Sequence, residues 1–197
     1  MRSPDAPTEN TLILVKHSMP ETSASTPASE WRLSEEGRRR CRPLAHRLKV
    51  YSPASIYSST EPKARDTASL LAEELATNFI TRPGVEEQHR DNEPWLDKAE
   101  DFDNAISGFF ANSEKLVYGQ ETAIQALDRF DAAIQRTIRD ANESNVIVVC
   151  HGTVISLLLS RYSGTEPMDV WRRLTLPSFV VLKTPEFDLL DIVTNIT

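Results

Sequence analysis

"TLILVKHSMP", Thr11 to Pro20, decides how the chain is read. Leu12 to Val15 form a continuous apolar run, the pattern of a strand buried on both faces rather than one that alternates between core and water. The run then meets Lys16 and His17. A cation and an imidazole are costly inside a sheet. The junction therefore predicts a strand that stops there and carries both groups to an open sheet edge.

The same arrangement recurs along the chain. "NVIVVCHG", residues 145–152, is a second apolar run that stops at a histidine, His151, and "ASIYSS", 54–59, ends in hydroxyls. Helical patterns lie between them. "LSEEGRRRCRPLAHRL" offers Ser34 as an N-cap with acids in the first turn, and Pro43 within it predicts a kink or a late start. Arg38, Arg39 and Arg40 read as a solvated face. "KARDTASLLAEEL" is amphipathic, and "TAIQALDRFDAAIQRTIRDA" sets Ile124, Leu127, Phe130, Ile134 and Ile138 on one stripe. "TVISLLLSRYSG" predicts a helix ending at Gly164, "NFITRPGV" a third extended segment, and "SFVVLKT" and "FDLLDIV" later strands.

Continuous apolar strands alternating with helices predict an α/β fold with a mostly parallel sheet covered on both faces, whose ligands gather outside the carboxyl ends of the strands. The 197 residues fit a single domain, with a loose polar tail over 1–9 and an acidic, aromatic excursion over about 90–121. A net charge of −7 argues against a nucleic-acid or anionic-membrane partner. No apolar run approaches the roughly 20 residues that cross a bilayer, and the N-terminus lacks the apolar centre of a signal peptide. Two cysteines, Cys41 and Cys150, make no disulfide framework, so the expected compartment is the cytoplasm. Cys41 reads as a helix packing residue and His46 as solvent-facing. Cys150 and His151 should point to opposite faces. The sequence is silent on oligomeric state.

His17 and His151 each precede a small residue, Ser18 or Gly152, that permits close backbone approach. "LVKHS" resembles the Arg-His-Gly signature of the histidine phosphatase superfamily, the phosphoglycerate-mutase-like enzymes. "SSTEPKARDTA" is similar to that family's second phosphate-binding motif, "VEEQHR" to the segment with the acidic proton donor, and "VVCHGT" to the second histidine motif. All four occur in the family's order along almost the whole chain. The resemblance implies a three-layer α/β/α sandwich and a cofactor-independent phosphomonoesterase without a metal.

Residue by residue, the resemblance makes His17 the nucleophile that becomes a phosphohistidine, with its second ring nitrogen bonded to a neighbour such as a backbone carbonyl. His151 would contact the phosphoryl oxygens. Lys16 and Lys63 would supply charge, and Ser18 and Gly152 complete the phosphate-binding set. Glu87 is the expected general acid, with adjacent Glu86 as the competitor. The family's two arginines are lysines here and its glycine is Ser18; lysine provides a point charge where arginine provides a planar fork. Arg65, two residues after Lys63 on a helix, should point elsewhere.

Three other functions compete: a phospho-ligand-binding module without turnover, a phosphomutase, and a metal hydrolase built on His17, His151 and Glu87. The chain is short for the mutase branch and its excursion is poor in phosphate-binding cations. It also lacks a tight ligand motif such as HExxH. A small phosphorylated metabolite or a phosphoprotein is the expected partner, with specificity in residues 19–30 and 91–120.

Overall fold

The continuous apolar strands do pair at the centre of one sheet. The computed structural model describes residues 10–52, 54–141 and 145–196; the expected tail over 1–9 lies outside them. Among the described residues a six-stranded sheet has the order β3-β2-β4-β1-β5-β6, from strands β1 (Thr11–Lys16), β2 (Ala54–Ser58), β3 (Phe79–Thr81), β4 (Asn145–Cys150), β5 (Ser178–Lys183) and β6 (Asp188–Val193). β1, β2, β3 and β4 run parallel, β5 pairs antiparallel with β1, and β6 antiparallel with β5.

Side chains on the central strands alternate between two helical layers. Ile13 and Val15 pack with Leu44, Ala45 and Leu48 of α1 (Glu35–Leu48) and with Ala64, Ala68 and Leu71 of α2 (Pro62–Glu74). Leu12 and Leu14 face the other way, toward Phe130 and Ile134 of α4 (Ala123–Asp140), Val154 and Leu158 of α5 (Gly152–Ser163), and Val170 of α6 (Pro167–Arg173). A strand buried on both faces needs no polar alternation, which is why these runs are continuous. The result is the three-layer α/β/α sandwich.

Local signals account for several helix ends. The Ser34 side chain accepts the Gly37 N–H at 3.0 Å, and Gly164 closes α5 in the left-handed conformation, φ 64°. α1 starts at Glu35 and runs through Pro43, so the late start is not found. Arg38 and Arg39 are exposed, but Arg40 is half-buried and donates to the Leu176 carbonyl at 2.9 Å. Ile124 is also off the expected stripe: it is 40% exposed, and α4 buries Ala123, Ala126, Phe130, Ala133, Ile134 and Thr137 instead. Small residues face inward where α5 lies close, so an apolar-only count rotates the stripe. α6 escaped notice because its seven residues are too few to show a period.

The excursion contains α3 (Ala99–Ala111), whose Ile106, Phe109 and Phe110 pack against Ala126, Leu157 and Met168. Trp95 stays 44% exposed and meets Trp31 edge-on, ring centroids 5.9 Å apart. The other end of the sheet carries a register shift between Val181 and Leu182, opposite an edge strand, β6, that exposes Asp188 and Asp191. No helix among the described residues is long and apolar enough to cross a membrane.

Gly37 supplies a sharp test of how β1 and α1 are joined. A Cβ there would lie 2.0 Å from the Met19 carbonyl oxygen, a backbone atom next to Ser18. Gly37→Ala should cost about 1–3 kcal/mol, the usual penalty for overpacking, read as a lower melting midpoint. An unchanged midpoint would mean that the β1–α1 junction is looser than this packing indicates.

Candidate active site

The strand order creates the site. β1, α1 and β2 lead the chain to one side, α2 and β3 continue outward, and the chain then returns to insert β4 between β2 and β1. The segments leaving β1 and β4 part at their carboxyl ends, which opens a crevice in a parallel sheet. Register fixes what stands there: Lys16 is opposite Cys150, His17 N–H donates to the Cys150 carbonyl at 3.0 Å, and Ser59 N–H to the Val149 carbonyl at 2.9 Å.

These backbone bonds bring the two imidazoles together. The His17 and His151 rings meet edge-on with centroids 5.1 Å apart. His17 is 6% exposed and His151 0%, so the strand end is buried, not open to solvent as expected. Beside them the Ala28 carbonyl accepts from the Lys63 ammonium.

Each ring has a defined orientation. His17 Nδ1 lies 2.7 Å from the Ser18 carbonyl oxygen, which can only accept; Nδ1 therefore carries the proton and Nε2 the lone pair. His151 Nε2 lies 2.9 Å from the Ser59 hydroxyl, whose oxygen already accepts the Glu61 N–H at 3.2 Å. Nδ1 of His151 is buried without a hydrogen-bond partner among the described residues. Such an atom is one that a bound water or ligand would satisfy. Burial holds both imidazoles well below their ordinary pKa; beyond burial, His151 and Lys63 repel a proton on His17, and Lys63 repels one on His151.

The expected cations flank the rings. Lys16 Nζ donates to the Leu174 carbonyl at 2.8 Å and packs within 3.3 Å of where a Gly152 Cβ would stand. Burial lowers its pKa to about 8 against the pull of the Glu87 carboxylate. Lys63 is 4% exposed; burial lowers its pKa, and the Glu61 carboxylate opposes the shift. Arg65 is exposed and points away.

The two glutamates separate cleanly. Glu87 accepts the Gln88 N–H at 2.9 Å and the Thr153 N–H at 3.2 Å, which ties it to the first turn of α5 beside His151. Glu86 turns to the Thr60 hydroxyl and Gly84 N–H, both at 2.7 Å. Burial works to raise the pKa of Glu87, but Arg90, His151 and the Gln88 amide together hold it below the usual carboxylate value. Ser18, expected in the phosphate-binding set, bonds to its protein neighbours. Its N–H donates to Thr67 Oγ1 at 3.0 Å and its hydroxyl to the Gly37 carbonyl at 2.7 Å, so both donors are used in positioning His17.

Three residues of the site were not singled out from the sequence. Glu61 is 7% exposed, pairs with Lys63, and lies 3.4 Å from His151 Nε2. Arg129 donates to the carbonyls of Gly84, Glu86 and Glu87 at 3.0–3.1 Å while paired with Glu121, so it fixes the backbone that carries Glu87. Arg90 acts on Lys16, Lys63, Glu87 and His151 through its charge. The cue for Glu61 was present: an acid two residues from a helical cation that begins a strand-end turn. Arg129 had no cue, being one charge on a helix face. His89 is half exposed beside Glu121, at 3.9 Å, and His46 is exposed. Cys150 packs in the core on the opposite face from His151, its thiol pushed up by burial; burial also lifts Cys41, to about 11.

Comparisons with known proteins agree with this fold. The model of the histidine phosphatase superfamily (branch 1) matches residues 12–186. A metal-independent phosphoserine phosphatase of Arabidopsis thaliana is 31% identical over 136 residues; the match spans 66% of this chain and 57% of that protein. Among solved structures, a mycobacterial glucosyl-3-phosphoglycerate phosphatase complexed with VO3 superposes with a TM-score of 0.77 at 20% identity, covering 94% of this chain and 98% of that one. A phosphoserine phosphatase mutant from Entamoeba histolytica in complex with phosphoserine gives 0.70 at 16%, covering 94% and 97%.

The lowered imidazole pKa values fix the sign of a pH effect. Below the unfolded-state value of about 6.5 the unfolded chain takes up protons that His17 and His151 refuse, so stability falls as pH drops. Each histidine contributes up to about 1.4 kcal/mol per pH unit until its folded pKa is reached. Imidazole resonances should show both rings neutral at pH 6, with acid destabilisation beginning near 6.5. A midpoint near 6.5 for either ring in the folded protein would contradict its burial as a neutral group.

Proposed function

The chain belongs to the histidine phosphatase superfamily, branch 1, and on that premise we propose that it is a phosphomonoesterase acting on a small phosphorylated metabolite through a phosphohistidine on His17. One observation carries the reading: a buried neutral His17, with Nδ1 tied to the Ser18 carbonyl and Nε2 free to attack, stands against a His151 whose Nδ1 has no partner among the described residues. The reading includes a reducing, cytoplasmic setting, which two buried free cysteines suit.

The steps follow from these positions. His17 Nε2 forms a bond to phosphorus as the ester P–O bond breaks, with the phosphoryl oxygens held by His151, Lys16, Lys63 and the start of α5 at Gly152. Glu87 is ionised at rest. An anionic phosphoryl group beside it raises its proton affinity, because like charges disfavour ionisation, and the proton it gains passes to the leaving alkoxide. A water then gives its proton to Glu87 and attacks the phosphohistidine. Phosphate leaves, and His17 regains its lone pair.

The relative named a phosphoserine phosphatase makes phosphoserine a sensible first member of a metabolite screen. The expected result is phosphate release with trapping of an acid-labile phosphoryl group on His17, both abolished in His17→Ala. Glu87→Gln should slow alkyl phosphates far more than aryl phosphates, which need less protonation. Turnover by folded His17→Ala would overturn the mechanism, and binding without phosphoryl transfer would make the protein a phospho-ligand-binding module.

Lys16 should also leave a mark on binding. Its charge is lost as pH rises through about 8, so affinity for inorganic phosphate should weaken there, while Lys16→Arg, which keeps its charge, should remove that limb. Calorimetric titration across pH 7–9 checks this, and identical profiles for the two proteins would take Lys16 out of the site.

A further inference from the structure

Glu61 has no part in the phosphoryl transfer just described, yet it is the hub of the site. One oxygen pairs with the Lys63 ammonium; the other accepts the Glu87 N–H at 2.8 Å and lies 3.4 Å from His151 Nε2. The side chain is 8% exposed, and its own N–H is bound by Ser59, so the carboxylate is held in place from both ends. A free anion would compete with it for the Lys63 ammonium.

We propose that Glu61 is a specificity-determining counter-ion that limits the site to one phosphoryl group and disfavours substrates whose alcohol portion carries a further negative charge. The inference rests on the phosphatase reading and deepens it. With neutral imidazoles, the cations Lys16, Lys63 and Arg90 face the carboxylates Glu61 and Glu87, while Arg129 is paired with Glu121. Glu61 thus reduces the positive charge available to a phosphoryl dianion. Lys63 is also shared, since one of its three N–H groups goes to Glu61 and another to the Ala28 carbonyl. Product phosphate is therefore held weakly, and a substrate carboxylate meets an existing carboxylate in a region of low dielectric, where repulsion between like charges is strong.

Glu61→Gln keeps the shape and an oxygen acceptor while removing the charge. Calorimetry should show the folded variant binding inorganic phosphate and orthovanadate at least tenfold more tightly than the wild type. Equal or weaker binding overturns the inference. A second measurement needs no variant: phosphoethanolamine and phosphoserine differ only by a carboxylate, and the wild type should favour phosphoethanolamine at least tenfold in kcat/KM. Equal values, or a preference for phosphoserine, overturn the inference even if Glu61→Gln does not fold. Binding of phosphate and vanadate by the wild type without the tenfold gain rejects only the role of Glu61. Failure of the wild type to bind either anion rejects the phosphoryl site as well.

Discussion

Parallel pairing of β1 with β4 is the constraint on which the rest depends. It sets Lys16 beside Cys150 and lets the His17 amide continue the ladder to the Cys150 carbonyl. A slip of one residue would turn every side chain of β1 to the opposite layer, sending Leu12 and Leu14 toward α1 and α2 and separating the two rings. Burial of the strands on both faces makes such a slip expensive. The core thus specifies the position of the imidazoles as firmly as their own hydrogen bonds do.

The cost of this placement is electrostatic. Two neutral rings, two lysines and two carboxylates share a buried end of a sheet, held there by hydrogen bonds to their neighbours. The Ser18 carbonyl takes one nitrogen of His17, Ser59 takes one nitrogen of His151, and the Leu174 carbonyl takes one N–H of Lys16. Arg129 secures the backbone beneath Glu87 without touching its carboxylate. Preorganised groups of this kind pay little reorganisation energy when charge arrives.

Much of this was legible in the sequence because burial leaves a direct trace there. Continuous apolar strands, the caps at Ser34 and Gly164, and the histidines at strand ends all follow from single residues in fixed local roles. Ile124 and Arg40 misled because their surroundings come from distant segments: small residues turn α4, and the Leu176 carbonyl captures a guanidinium. Ser18 was legible as a small residue beside His17, but the use of its donors depends on α1 and α2, which supply Gly37 and Thr67. The hub at Glu61 is likewise a tertiary fact, made by Lys63, His151 and Glu87 from three separate segments.

The two margins of the sheet have a bearing on how copies of the chain meet one another. An unpaired strand is a template for a neighbour's backbone, and long flat margins invite aggregation. Here one margin, β3, has only three residues, which gives little purchase. The other, β6, follows a bulged pairing with β5 and displays Asp188 and Asp191 to water. Bulging twists the margin out of plane, and two such strands brought together would oppose carboxylates. The fold therefore carries its own deterrent to cross-strand polymerisation.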